Sequence, residues 1–147
     1  MDAVYSWPMN KSTHIRTGRH CVFNLHAHLV FVTKYRRKVF THTMMTFMSQ
    51  VFSDVCDSFE ATLVECDGES DHVHLLIHYP PKVALSKLVN SLKGVSSRLL
   101  RTQFHSIEKH YWKSMLWSPS YFAGSCGGAP IETIRQYIEA QQSPSDR

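Results

Sequence analysis

Two histidines separated by a single residue, His72 and His74, are the side chains whose type and spacing best suit metal binding. They belong to the run 71–78, whose alternation predicts a β-strand, so both imidazoles project from one face and apolar side chains from the other. Two neutral imidazoles at this spacing can bind one divalent metal when a third ligand comes from elsewhere. An isolated triplet of this kind is more often a pair of surface or core histidines, and we favour that ordinary role for a second triplet, His26-Ala27-His28.

A second pair of candidate residues lies near the C-terminus, where residues 131–142 predict an amphipathic helix with a stripe of isoleucines. Tyr137 and Gln141 are four residues apart and therefore share one side of that helix. A phenol, whose ordinary pKa is about 10, becomes a nucleophile toward phosphorus when a cation neutralises the attacked phosphate. Gln141 can supply the oxygen ligand that the histidine pair lacks. Taken alone, Tyr137 is more simply an ordinary tyrosine of an amphipathic helix.

Length and composition bound the class of protein. A chain of 147 residues with 43% hydrophobic residues suits one folded domain and is too short for two ordinary ones. No apolar run approaches membrane-spanning length, and residues 1–20 lack the apolar core of a signal peptide, so we expect no membrane partner and a cytoplasmic location. The net charge of +4 permits a nucleic-acid partner without requiring one. The four cysteines form no C-x-x-C pair, which indicates reduced thiols and not a zinc site or disulfides.

Hydrophobic periodicity predicts the order strand, helix, strand, strand, helix, strand, helix. The first six elements match the split βαβ plan of a ferredoxin-like α+β domain, with an antiparallel sheet and helices on one face. We expect Asp67-Gly68 to turn the second strand into the third, and 103–113 to be a loop or an irregular helix. The predicted strands are 21–33, 61–66, the run after 71 that ends at Pro80-Pro81, and the region 115–126 with an irregular entry at Pro119. The predicted helices are a segment capped by Thr41 and reaching Phe59, a segment with the stripe Leu85, Leu88, Leu92, Val95 and Leu99, and 131–142.

The order of these elements, together with the segments between them, predicts the domain boundaries. Residues 1–19 are expected to be a flexible N-terminal arm and 20–126 the ferredoxin-like domain. Residues 127–142 then comprise a joint at Gly127-Gly128 and the tyrosine helix, followed by a disordered tail at 143–147.

Two groups of positive charge are candidate DNA contacts. The segment 34–38 combines four cations with one aromatic residue, so it could pair with phosphates while the tyrosine stacks on a base. A solvated basic turn explains the same composition equally well. The second group lies on the face of the 85–99 helix away from its apolar stripe. The candidates are Lys34, Tyr35, Arg36, Arg37 and Lys38 in the first group, and Lys87, Arg98 and Arg101 in the second.

Five motifs in order resemble those of the small single-tyrosine HUH transposases of the insertion-sequence 200/605 family. Together they cover nearly everything from Cys21 to Gln142, and five ordered motifs are far more specific than any one of them. Ser70 departs from the pattern, since relatives often have proline before the Asp-His-x-His motif. The motifs are HLVFVTKYRR at 28–37, DHVHLL at 71–76, the 85–98 helix with Leu92-Lys93-Gly94, LWSPSYF at 116–122, and IRQYIEAQ at 134–141.

This resemblance implies a mechanism. His72 and His74 would be the HUH pair that holds Mg²⁺ or Mn²⁺ with Gln141 as third protein ligand, and Tyr137 would attack a DNA phosphate. The product would be a 5′-phosphotyrosine and a free 3′-OH, with no nucleotide cofactor because the phosphodiester energy is kept in the covalent link. Family members act as homodimers on single-stranded DNA hairpins at the element's ends, and the tyrosine helix can pack against the other subunit's histidines. The joint at Gly127-Gly128 suits that exchange.

Two other functions remain open at the level of sequence. A related HUH nuclease that acts on chromosomal repetitive palindromes, or a replication-type relaxase, would share this chemistry and differ in its DNA target. From another class, the chain could be a non-catalytic nucleic-acid-binding module with a ferredoxin-like fold. That class usually carries an aromatic RNP-type strand, and no such run is present.

Overall fold

The structure is a computed structural model, and it describes residues 15–111, 115–125 and 131–141. Most of the predicted arm, the joint at Gly127-Gly128 and the tail at 143–147 fall outside the described residues, so those boundaries stay predictions. The strands are β1 (Arg16–Gly18), β2 (Cys21–Phe23), β3 (His26–Val32), β4 (Thr62–Glu69), β5 (His72–His78) and β6 (Phe122–Ser125). The α-helices are α1 (His42–Ser58), α2 (Leu85–Gln103), α3 (His105–His110) and α4 (Ile131–Ala140), and a 3₁₀ turn covers Lys34–Arg36.

The main sheet has the strand order β4-β5-β3-β6, and all its neighbouring strands are antiparallel. Helix α1 connects β3 to β4, while α2 and α3 lie between β5 and β6 in the chain. This is the split βαβ arrangement of a ferredoxin-like α+β fold, as the periodicity predicted. Because β3 and β5 are the two central strands, they are the strands most deeply covered.

The two faces of the sheet have different roles. On one face, side chains such as Leu29, Phe31 and Leu75 pack against α1 and α2 and are fully buried. On the other face lie Val30 and Val32 of β3 and the even-numbered residues of β5. The alternation of a β-strand thus separates the hydrophobic core from a second face that carries histidines.

Helices α1 and α2 form the outer layer of the core. The hydroxyl of Thr41 accepts a hydrogen bond from the Met44 backbone N–H at 3.3 Å, which confirms the predicted N-cap. The predicted stripe of α2 is wrong at its end, since Leu100 is buried and Leu99 is only partly so. Ser96 also belongs to the buried side, where its hydroxyl accepts a hydrogen bond from the Trp117 indole at 2.9 Å. None of the described helices is long and apolar enough to span a membrane.

The prediction of a turn at Asp67-Gly68 is wrong, because both residues lie inside β4. Glu69 pairs with His72, so the turn consists of the two residues between them. A Cβ atom on Gly68 would press against the His72 carbonyl and lie 2.9 Å from the Val73 Cα. The glycine therefore permits a close approach of two strands and not a turn.

The first and fourth strands are less continuous in the structure than the sequence predicted. Residues 24–25 interrupt the first, and β2 pairs with β1 instead of joining the main sheet. As a result, the last residues of the predicted arm, Arg16–Gly18, form a strand. Among the described residues of the predicted fourth strand, Phe122–Ser125 forms the regular part, while Trp117 makes an isolated bridge to Thr33. This agrees with the irregular entry predicted at Pro119.

Candidate active site

The histidine pair lies at the start of the central strand β5. His72 and His74 project from the face of the sheet away from α1 and α2, and their ring centroids are 4.9 Å apart. The opposite side chain, Val73, is fully buried in the core. The register of the β4–β5 hairpin therefore places both imidazoles on one surface, as the alternation predicted.

His72 is oriented by its neighbour in sequence. The carboxylate of Asp71 lies 2.8 Å from the His72 Nδ1. The hydrogen bond with His72, helped by the nearby guanidinium of Arg36, lowers the pKa of Asp71, so this side chain is an ionised acceptor. An ionised acceptor requires the proton on Nδ1, which leaves the lone pair on Nε2 free for a metal.

His74 is prepared for metal binding in a different way. Burial, followed by the neighbouring imidazoles of His72 and His28, lowers its pKa to about 4. His74 is therefore neutral at physiological pH, which is the form that coordinates a metal. Burial thus keeps the His74 imidazole neutral, while Asp71 determines which nitrogen of the His72 imidazole donates to it.

Arg36 joins this half of the site to the tyrosine helix. Its Nε lies 3.6 Å from the Asp71 carboxylate, and its Nη1 donates to the Glu139 carbonyl of α4 at 3.4 Å. Tyr35 and Arg36 have φ values of 67° and 53°, in the left-handed region that side chains rarely adopt. Two such residues in succession cost on the order of 1–3 kcal/mol each, which is typical of a segment whose geometry serves a site.

Helix α4 lies on the histidine face of the sheet. Ile134 is buried against Val30 and Val32 of β3. A cavity of about 390 Å³ separates the histidines from this helix. It is lined on the sheet side by residues including Asp71, His72 and His74, and on the helix side by residues including Ile134, Ile138 and Glu139.

Tyr137 and Gln141 contact a different segment, residues 118–120. The Tyr137 hydroxyl lies 2.7 Å from the Ser120 hydroxyl, and its ring packs beside Phe122. Burial raises the pKa of Tyr137, although the hydrogen bond with Ser120 partly opposes this. The Gln141 side-chain oxygen accepts a hydrogen bond from the Ser118 hydroxyl at 2.8 Å. The structure therefore places the tyrosine helix beside the histidine pair, with its two predicted functional groups held by serines.

The side chains around the histidine pair bear on the divalent metal that the resemblance implies. His72 and His74 fit, because burial keeps His74 neutral and Asp71 holds a proton of His72 on Nδ1, so that Nε2 is the nitrogen offered to a metal. Within the described ranges, no three His, Cys, Asp or Glu side chains converge on a metal-binding position. Gln141, on the helix beside the histidines, carries a side-chain oxygen that in this structure accepts a hydrogen bond from the Ser118 hydroxyl.

The second histidine triplet lies on the same face as the first. His28 is close to His74, with ring centroids 5.8 Å apart, and burial lowers its pKa to about 4. His26 stacks on His78 at 4.4 Å. His26 and His28 are therefore buried histidines, which β3 and β5 bring together with His78 and His74 across the sheet.

The predicted DNA-binding cations differ in their exposure. Lys38, Lys87 and Arg98 are exposed, whereas Arg37 donates to the His110 carbonyl at 3.1 Å and covers two tyrosine rings, those of Tyr35 and Tyr111. Lys34 also covers the Tyr35 ring. Arg98 and Arg101 line a groove of about 320 Å³ together with Lys93, Trp117 and Ser118.

Sequence reasoning assigned no role to three residues that the structure places at the site, Lys93, Ser118 and Ser120. The Lys93 ammonium donates to the carbonyls of residues 118–120, and the two serines hold Gln141 and Tyr137. The available signal was their presence in two of the five ordered motifs.

Comparison with known proteins agrees with this architecture. The model of the IS200-like transposase family matches residues 21–141, which is most of the chain. The chain therefore belongs to the IS200-like transposase family, whose class of activity is DNA transposition.

Individual relatives support the same family. The ISDra2 transposase TnpA of Deinococcus radiodurans is 28% identical over 127 residues, covering 86% of this chain and 91% of the relative. The transposase for insertion sequence element IS200 of Salmonella typhimurium is 30% identical over 122 residues, covering 83% of this chain and 80% of the relative.

Two solved structures share the fold. A crystal structure from Deinococcus radiodurans, of a protein assigned as a transposase, has a TM-score of 0.80 and 30% identity, and covers 87% of this chain and 98% of its own. The REP-associated tyrosine transposase bound to a REP hairpin has a TM-score of 0.50 and 10% identity, and covers 84% of this chain and 68% of its own. At that identity the second structure shows a common fold alone.

Proposed function

We propose that this transposase cleaves and rejoins single-stranded DNA at the ends of its insertion sequence, with Tyr137 as the nucleophile. The observation that carries the proposal is the position of α4, whose tyrosine lies on the same sheet face as His72 and His74. The family assignment supports strand transfer as the reaction class. It also favours a transposase over a nuclease dedicated to chromosomal repetitive palindromes.

The reaction is a transesterification. The Tyr137 oxygen forms a bond to phosphorus, the bond from phosphorus to the 3′ oxygen breaks, and the phenolic proton is transferred overall to that leaving oxygen. Because burial raises the pKa of Tyr137, the phenol is neutral before attack and must lose its proton during the step. Ser120 restricts the direction of the phenol through its hydrogen bond. Attack by a 3′-OH on the phosphotyrosine reverses the reaction without a nucleotide cofactor.

We assign the binding of Mg²⁺ or Mn²⁺ to His72, His74 and Gln141. A divalent cation held there would neutralise charge on the attacked phosphate. Asp71 keeps the His72 imidazole in the tautomer that presents Nε2, and burial keeps His74 neutral. Gln141 completes the set once its oxygen leaves the Ser118 hydroxyl.

The substrate is expected to be a DNA hairpin at each end of the element. Exposed cations at Lys38, Lys87 and Arg98 suit a phosphate backbone, whereas the Tyr35 ring is already covered by Lys34 and Arg37. Arg36 and Arg37 have partners within the protein, so they contribute less to DNA affinity than the exposed cations. Replacing Lys38 by Ala should weaken hairpin binding and reduce its salt dependence, whereas unchanged affinity would remove it from the interface.

The working form is expected to be a homodimer. Helix α4 contacts the sheet of its own chain through Ile134, and the same contact made to a second copy would give a shared site. Mixing Tyr137→Phe with His72→Ala protein tests this arrangement. Recovery of activity would show shared sites, and no recovery would show that each site is formed within one subunit.

The central test uses oligonucleotides from the element's ends with Mn²⁺. Wild-type protein should form an adduct that survives denaturing electrophoresis, and Tyr137→Phe should abolish it. Tyr121→Phe is the matched control, because it removes a phenol outside α4. If wild type forms no adduct, or if Tyr137→Phe still forms one, the proposed mechanism is wrong.

A further inference from the structure

Lys93 has an unusual environment for a lysine. It lies in the middle of α2, partly buried, and its ammonium donates to the carbonyls of Ser118 at 2.8 Å, Pro119 at 3.3 Å and Ser120 at 3.2 Å. Burial lowers its pKa. No carboxylate in the described part of the chain lies within ion-pairing distance of it. The charge is therefore stabilised by three carbonyl dipoles of one short segment.

That segment has few other attachments to the sheet. The Ser118 N–H donates to the Val32 carbonyl at 2.7 Å, and Trp117 bridges to Thr33 just before it. Pro119 and Ser120 belong to no helix or strand and are exposed. Since an exposed irregular segment is held by its specific bonds, the Lys93 ammonium is the restraint that ties residues 118–120 to α2.

The same segment holds the tyrosine helix. The Ser120 hydroxyl lies 2.7 Å from the Tyr137 hydroxyl, and the Ser118 hydroxyl donates to Gln141. We propose that Lys93 is a positioning residue for strand transfer, which fixes residues 118–120 so that their serines place Tyr137 and Gln141. The proposal rests on the proposed function, because it assumes that Tyr137 is the nucleophile.

The competing role for Lys93 is a direct contact with DNA phosphate, since it lines the groove that contains Arg98 and Arg101. An ammonium group has three donors, and three carbonyls already lie within hydrogen-bond distance of this one. To contact a phosphate, the Lys93 ammonium would have to break its hydrogen bonds to the carbonyls of residues 118–120. The contacts therefore favour a positioning role. Loss of that role would lower the rate of adduct formation, whereas loss of a DNA contact would lower hairpin affinity.

The first experiment replaces Lys93 by Met, which keeps the aliphatic volume and removes the donors. We expect the single-turnover rate of adduct formation at saturating DNA to fall on the order of 100-fold, as for displacement of a reacting group by about 1 Å. Hairpin affinity should stay within about twofold, because positioning affects the reacting geometry more than binding. Lys109→Met, which removes an exposed lysine of α3, is the matched control. Loss of hairpin affinity with an unchanged rate would assign Lys93 to DNA binding and overturn the proposal.

Amide hydrogen exchange gives a readout that does not depend on catalysis. In Lys93→Met we expect faster exchange in α4 as well as in residues 118–120, while β3 and β5 keep their protection. Unchanged exchange in α4 would contradict the proposal. If Lys93→Met does not fold, Lys93→Gln retains a shorter donor and should show an intermediate loss of rate.

A double-mutant cycle with Ser120→Ala tests the route of the effect. If Lys93 acts through the serines, adding Ser120→Ala to Lys93→Met should cause little further loss. If the rate losses of the two single variants multiply in the double variant, Lys93 and Ser120 act independently and the proposal is contradicted. Absence of an adduct in wild type would instead refute the proposed function, and the exchange experiment would still test the link between Lys93 and α4.

Discussion

The carboxylate of Asp71 lies 2.8 Å from the Nδ1 of His72 and thereby fixes the tautomer of one of the two paired imidazoles. The two residues are adjacent in sequence at the turn that leads into β5. The arrangement resembles the carboxylate–histidine pairs that orient ligands in metalloproteins.

Replacing Asp71 by Asn should weaken Mn²⁺ binding by about 10- to 100-fold, the usual cost of losing a carboxylate behind a histidine ligand. The substitution keeps the shape of the side chain but removes the charge that favours the Nδ1–H tautomer. Calorimetric titration with Mn²⁺ measures the effect. Asp54→Asn, on the exposed side of α1, should bind metal like wild type. Equal affinities for both variants would show that Asp71 does not orient the ligand.

His28 should make the metal-free protein less stable as the pH falls. Its pKa is about 4 in the folded protein against 6.5 ordinarily, so the unfolded chain binds more protons between these values. The free energy of unfolding should therefore fall as the pH is lowered from 6.5 to about 4. The slope should be roughly 1.4 kcal/mol for each pH unit and the total loss about 3 kcal/mol at most.

Urea denaturation in EDTA at several pH values measures this dependence. His28→Gln should have a shallower slope than wild type below pH 6.5, because it removes one group that must stay neutral. His42→Gln, at an exposed position at the start of α1, should keep the wild-type slope. Identical slopes for all three proteins would show that His28 is not held neutral.

Gly94 offers a simple stabilisation. It lies exposed within α2, and a Cβ atom there would meet nothing within 4 Å. Gly94→Ala should raise the free energy of unfolding by about 0.5–1 kcal/mol, because glycine loses more backbone entropy in a helix. Gly68→Ala is the opposite case and should destabilise, since its Cβ would press on the β5 backbone. Thermal unfolding of both variants checks these signs, and a loss of stability in Gly94→Ala would contradict the first.

Ser96 should contribute to stability through a single buried hydrogen bond. Ser96→Ala leaves the Trp117 indole N–H without its acceptor and should cost about 1–3 kcal/mol. Ser86→Ala, at an exposed position of the same helix, should change stability little. Equal unfolding midpoints for the two variants would mean that the indole finds another acceptor.

The sequence predicted the fold well where a single period dominates. The alternation from Val73 to Ile77 and the helix that follows Thr41 are confirmed, because burial on one side determines both. The prediction of a turn at Asp67-Gly68 was wrong because a turn dipeptide does not set the strand register, which depends on pairing between β4 and β5. The separation of β2 from β3 likewise depends on a partner, β1, that local sequence does not reveal.

The candidate site also has parts that the sequence predicted and parts that it did not. The histidine pair and the tyrosine helix were predictable from spacing and from ordered motifs. The approach of His28 to His74 was not, because it is set by the cross-strand register. The role of Lys93 was hidden for a related reason, since its partners lie 25 to 27 residues away in the chain.

His72 and His74 lie on the same strand as residues of the hydrophobic core. The length of the β4–β5 turn is therefore constrained. A one-residue insertion or deletion between Glu69 and His72 that shifted β5 against its neighbours would turn His72 and His74 toward α1 and α2, and Val73 toward the cavity. Neither folding nor catalysis would survive that shift. Natural variants of this hairpin should therefore differ by substitution and keep their length, whereas the loop around Pro81 remains free to change in length. The segment around Pro119, whose neighbours Ser118 and Ser120 contact Gln141 and Tyr137, should keep its length as the hairpin does.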